Sequence, residues 1–132
     1  YANHMMWMHF AEGSLAARVI ADYRVWKIQS PTERSRMVDS EATVQYAENF
    51  LMKHSWFGGE EFSTADIMML FPLNFATALN IVDEAQFPKV AAWKKQARAR
   101  PAYQRMLAKA RPDGLIGALP KLPAHAPSGS RK

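Results

Sequence analysis

The stretch FSTADIMM, residues 62–69, decides how this chain is read. Ser63 and Asp66 stand three apart, just ahead of an apolar run. The Ser63 hydroxyl can accept from the Asp66 amide while the Asp66 carboxylate accepts from the Ser63 amide, a reciprocal cap that opens a helix. Phe62 before the cap and Ile67 four positions beyond it can staple the first turn. Losing a cap of this kind costs about 0.5–2 kcal/mol. From Ile67 to Leu79 nearly every side chain is apolar, and a helix apolar on all sides belongs in the middle of a bundle. Pro72 lies inside that helix and should kink it or divide it. With no histidine nearby in sequence, Ser63 and Asp66 read as a cap and not as two members of a catalytic triad.

Working toward the N-terminus, Gly58 and Gly59 mark a turn after Trp56 and Phe57. The helix before it should run to about His54, with Met37, Val44, Ala47 and Leu51 as its apolar stripe. Asp39, Glu41, Gln45 and Glu48 fall on its wetter side. Ser30, Pro31 and Glu33 suit its N-cap, first turn and capping box. Residues 3–29 hold no proline and are crowded with apolar side chains at helical spacing, which predicts a first helix with more than one buried face. Gly13 inside it either costs helix stability or admits another backbone.

Toward the C-terminus, Pro88 opens a helix whose inner side carries Val90, Trp93 and Ala97 and whose outer side carries Lys89, Lys94, Lys95 and Arg98. Pro101 starts another, with Tyr103, Met106, Leu107 and Ala110 at helical spacing and Arg111 near its end. The fold class is therefore all-α, an orthogonal bundle of about five helices over residues 1–112 around a kinked, buried central helix. Residues 113–132 form a Pro/Gly-rich basic tail. Its last ten residues read as disordered, while Leu115, Ile116 and Leu119 can dock on the bundle.

The 132 residues fit one domain, and a 48% hydrophobic content is enough for a core. The sequence has no cysteine, which excludes disulfides, zinc–thiolate sites and a cysteine nucleophile from it and fits a reducing, cytoplasmic compartment. No apolar run is long enough to span a bilayer, so no membrane partner is expected. The net charge of +5 is unevenly spread: residues 1–87 hold 6 basic and 11 acidic side chains, and residues 88–132 hold 11 and 1. Aromatic residues barely interleave with the basic end, so nucleic acid is not an expected partner.

Two further stretches join the central one: WMHFAEGS, residues 7–14, and FPKVAAWKKQARARPAYQRML, residues 87–107. In this order and spacing the three resemble the C-terminal helical domain of glutathione transferases, most closely the bacterial and fungal branch. The resemblance covers about residues 3–112. It implies a domain that forms the hydrophobic pocket for an electrophilic small molecule, which glutathione conjugates or reduces in detoxification. It also implies a homodimer in the full-length protein. Glutathione enters as co-substrate, held mainly by a thioredoxin-like domain that precedes this one in the family and is not represented in these residues. By the same token the chain alone is not expected to transfer thiol efficiently, and it carries no catalytic residue of its own. Related helical domains also serve as assembly modules, so a non-catalytic interaction module is the alternative.

The resemblance puts the co-substrate face on the first helix, at Asn3, Trp7 and Phe10, one helical turn apart. Read as residues alone, Trp7 is equally consistent with a core aromatic, and Phe10 reads more readily as core than as a contact. Met5, Met6, Met8, Met68 and Met69 read as deformable core filler. His4 and His9 lack the converging ligands of a metal site, and no metal is expected. His54 and His125 show no partner in the sequence.

Overall fold

The computed structural model describes residues 2–29, 37–110, 116 and 118–125. Its helices are α1 (Ala2–Phe10), α2 (Ala17–Gln29), α3 (Val38–Leu51), α4 (Thr64–Ala78), α5 (Pro88–Arg98) and α6 (Pro101–Lys109). A π-helical stretch, Ala11–Ala16, welds α1 to α2, and Glu84–Gln86 forms a single 3₁₀ turn. Among the described residues five rods result, as the sequence implies, because α1, the π stretch and α2 are one continuous helix. Among the described residues there is no strand beyond one isolated bridge between Trp56 and Gly59.

The π stretch answers to the spacing of the apolar residues. Trp7, Ala11, Leu15, Val19 and Tyr23 are buried at intervals of four. An α-helix turns about 400° in four residues, so such a stripe would drift by about 40° per step. The wider π turn absorbs part of that drift and keeps the stripe on the core. Gly13 sits here but admits no neighbouring backbone: a Cβ at Gly13 would meet nothing within 4 Å.

Helix α4 is the centre of the molecule and packs against α1, the π stretch, α2 and α5. Met69, Leu73 and Ala76 on it, and Leu79 just after it, are fully buried. Pro72 does not divide it; the helix runs unbroken through that residue. Its burial is not all-round either. Ile67 is 58% and Phe71 50% exposed, because this side of α4 faces a groove and not another rod.

Helix α3 ends at Leu51, a turn earlier than expected, and its stripe of Met37, Val44, Ala47 and Leu51 is buried. The expected start signals Ser30, Pro31 and Glu33 lie outside the described residues. Glu48 is not on a wet side. It is 5% exposed, and its carboxylate accepts from the amides of Lys89 (2.9 Å) and Val90 (2.8 Å). Phe87 precedes α5 and offers no side-chain cap, so α3 supplies the cap from 41 residues away. Lys94, read as outward-facing, is buried instead. Its ammonium donates to Thr77 Oγ1 and Glu84 Oε2, both at 2.8 Å.

Beyond α6 the chain returns over the bundle. Ile116 and Leu119 pack against the core, Leu115 lies outside the described residues, and Leu122 is fully buried. The Leu122 amide donates to the Leu79 carbonyl (3.0 Å), Asn80 Nδ2 donates to the Leu122 carbonyl (3.0 Å), and the Tyr23 hydroxyl donates to the Pro120 carbonyl (2.8 Å). His125 has a partner after all, its Nε2 lying 3.0 Å from the Asn80 carbonyl.

Candidate functional site

The N-terminus of α4 is built around one carboxylate. Asp66 has no exposed surface and accepts four hydrogen bonds. Oδ2 takes the Ser63 amide (2.9 Å) and the Ser63 hydroxyl (3.3 Å). Oδ1 takes the Phe57 amide (2.9 Å) and Trp93 Nε1 (2.8 Å). Ser63 Oγ in turn accepts from the Ala65 amide at 3.2 Å, completing the cap that FSTADIMM predicts. Asp66 therefore joins the α3–α4 turn, the start of α4 and the middle of α5. Gly58 is a requirement of this knot, since a Cβ there would lie 2.6 Å from Ser63 Oγ.

Helix α1 lies against this knot. His4 Nε2 is 2.6 Å from the Thr64 hydroxyl, and Thr64 Oγ1 lies 3.4 Å from Met8 Sδ. Of the three residues proposed for substrate contact, Asn3 is exposed, Phe10 is half-buried and Trp7 has no exposed surface. Trp7 is enclosed by rings, with centroids of Phe57 at 4.7 Å, Phe10 and Phe50 at 4.9 Å and Tyr46 at 5.4 Å. Its Nε1–H finds no acceptor among the described residues. A buried donor in that state is uncommon. Asn3 and Phe10 thus reach solvent, while Trp7 backs Phe10 in an edge-to-face contact.

Two other surfaces stand out. The groove between α4 and α6 has a volume of about 440 Å³ and an almost wholly apolar lining that includes Ile67, Phe71, Tyr103 and Met106. The Arg100 guanidinium at its edge stacks on Phe62, 3.7 Å from the ring centroid. The sequence hinted at this groove only through the spacing of Tyr103 and Met106 on α6. Second, Lys95, Arg98, Arg105 and Lys109 are exposed on α5 and α6. His54, without an obvious partner in the sequence, stacks on Phe50 at 4.3 Å and lies 3.6 Å from the Glu60 carboxylate. Among the described residues no three His, Asp or Glu side chains converge as a metal site, and no helix is long and apolar enough to cross a membrane.

A reciprocally capped apolar helix thus lies at the centre of the bundle, tied through one buried aspartate to a flanking tryptophan. The chain belongs to the family described as glutathione S-transferase, C-terminal domain, whose pattern matches residues 31–101 and so takes in both α4 and α5. It is also similar to glutathione S-transferase 3 of Schizosaccharomyces pombe (strain 972 / ATCC 24843), at 26% identity over 116 residues, covering 76% of this chain and 48% of the relative. The chain thus spans about half the length of that curated relative. No solved structure gives a significant match.

Proposed function

We propose that this chain is the helical half of a glutathione transferase of the bacterial and fungal type, working in a reducing, cytoplasmic compartment. It forms the wall against which an apolar electrophile is held for conjugation or reduction by glutathione. Family membership and the fungal relative support the class of reaction. The observation that carries the site is the half-buried Phe10 ring held edge-to-face by the buried Trp7, on the same helix as the exposed Asn3. Asn3 and Phe10 touch the co-substrate. Trp7, itself without exposed surface, fixes the Phe10 ring from behind. Ionising the glutathione thiol falls to the half that binds it. The residues described here contribute proximity, by confining the electrophile to one face.

The test is conjugation of an aryl halide by the full-length protein. Trp7→Leu removes the ring that backs Phe10, and Phe10→Ala removes the contact wall. Both should raise KM for the aryl halide several-fold and leave KM for glutathione unchanged. A full-length protein that fails to retain glutathione ends the enzyme reading.

The same reading includes a two-fold homodimer. Ala17, Ala21, Val25 and Ile28 line up on the outside of α2, with Ile28 85% exposed, and a stripe of this kind suits a self-complementary contact. Sedimentation should show a concentration-dependent dimer that Ile28→Asp abolishes. The exposed cations of α5 and α6 favour a second reading, an interaction module for an acidic partner. Charge reversal at Lys95 and Arg98 that leaves partner recovery unchanged would rule it out. Lys94 is buried and is not part of that surface.

A further inference from the structure

We propose that His4 is a positioning residue for the co-substrate face of α1, acting through the Thr64 hydroxyl at the start of α4 and resting on the transferase reading of that face. Thr64 is the first residue of α4, and its hydroxyl takes no part in the cap, which Ser63 and Asp66 complete between them. It turns to α1 instead. His4 Nε2 lies 2.6 Å from Thr64 Oγ1, and Thr64 Oγ1 lies 3.4 Å from Met8 Sδ. Among the described residues, both polar side-chain contacts between α1 and α4 therefore end on one oxygen. His4 and Met8 are four apart, so Thr64 grips one turn of α1 on a single face. Asn3 and Trp7 each stand one residue ahead of a gripped residue, about 100° round the helix.

Little else seats the first turn of α1. Trp7 anchors the turn that follows; ahead of it Ala2, Asn3 and Met5 are exposed, and among the described residues Met6 alone packs on the core. Methionine is unbranched and deformable, and apolar contact has no direction, so Met6 sets the rotation of this turn loosely. A hydrogen bond is directional and sets it closely. Thr64 is itself held, one residue from a cap whose Asp66 reaches Phe57 and Trp93. The order of α4 thus passes through Thr64 and His4 to Asn3, the neighbouring residue of α1. The proton count assigns the imidazole its role. A hydroxyl carries one proton, so both contacts form together when that proton points at Met8 Sδ and His4 Nε2–H donates to Thr64 Oγ1. Position 4 must then supply a donor, and an amide of similar reach meets that requirement.

The experiment is steady-state conjugation of an aryl halide by the full-length protein. Thr64→Val deletes the hydroxyl and keeps the shape. It should raise KM for the aryl halide about two- to tenfold, the worth of one hydrogen bond, and leave kcat and KM for glutathione unchanged. Thr64→Ser, which restores the hydroxyl, and His4→Gln, which keeps a donor, should retain the parent KM. His4→Leu should match Thr64→Val, and the two together should be no worse than either alone. An unchanged KM in Thr64→Val, where Phe10→Ala in the same protein raises it, overturns the role of His4 and leaves the transferase reading standing. An unchanged KM in both variants removes the reading and the role together. Additive losses in the double variant, or equal losses in His4→Gln and His4→Leu, also overturn the proposal, because the two side chains then act separately or without a donated proton.

Discussion

At the scale of single residues, stability concentrates on Asp66. Removing its carboxylate strands the Phe57 and Ser63 amides and Trp93 Nε1, each within the fold. Unsatisfied buried donors cost about 1–3 kcal/mol apiece, so Asp66→Ala should lose about 3–5 kcal/mol, and Ser63→Ala only about 1 kcal/mol. Urea unfolding of the two variants should separate these losses; equal losses would mean that Asp66 does no more than cap. Gly58→Ala should destabilise through its clash with Ser63 although no cap atom is deleted, and Ser63→Gly in the same chain should recover part of the loss. The reciprocal cap was legible because its partners are three residues apart. The reach of Asp66 to Trp93 was not, since 27 residues of chain intervene and only tertiary packing joins them.

At the scale of elements, α5 depends on α3 for its beginning. Pro88 supplies no N–H, Phe87 no side-chain acceptor, and the free amides of Lys89 and Val90 end on Glu48. Glu48→Gln removes the charge that favours a helix N-terminus and one of its two acceptors, and should cost about 1–3 kcal/mol. The loss should appear as faster amide exchange at Lys89 and Val90; unchanged exchange there would show that α5 starts without help. Sequence pattern could not find this arrangement, because a glutamate on a helix reads as solvated unless its distant partner is known. Lys94 was misplaced for the same reason: its partners Thr77 and Glu84 come from chain that precedes α5. Periodicity did identify α4 as central. It missed the open side because a groove and a packed core draw on the same apolar residues.

At the scale of the whole molecule, the returning segment 118–125 ties the far end of the chain to α2 and α4. Tyr23 is its anchor on α2. Burial raises the Tyr23 phenol above its ordinary value of 10.0. The unfolded chain therefore ionises first as pH climbs. The stability carried by the neutral phenol is complete below about pH 10 and is lost as pH rises through the raised value. Tyr23→Phe should lower stability by about 1 kcal/mol at neutral pH and flatten the alkaline decline. Unfolding midpoints measured from neutral pH to above 10 check this, and an unaltered alkaline slope in the variant would show that Tyr23 does not set it. Prolines and glycines made this region read as tail, yet Leu119 and the buried Leu122 pack it onto the core.

The π stretch between α1 and α2 amounts to one surplus residue wound into a long rod. Deleting Gly13 should let Ala11–Ala16 rewind as ordinary helix while Trp7 and Val19 keep their facing. The same deletion inside α2 would swing everything on one side of it by about 100° relative to the other. Length changes in this rod are therefore tolerable at one place, and that place lies between the half of the rod bearing Asn3, Trp7 and Phe10 and the half bearing the outer stripe of α2.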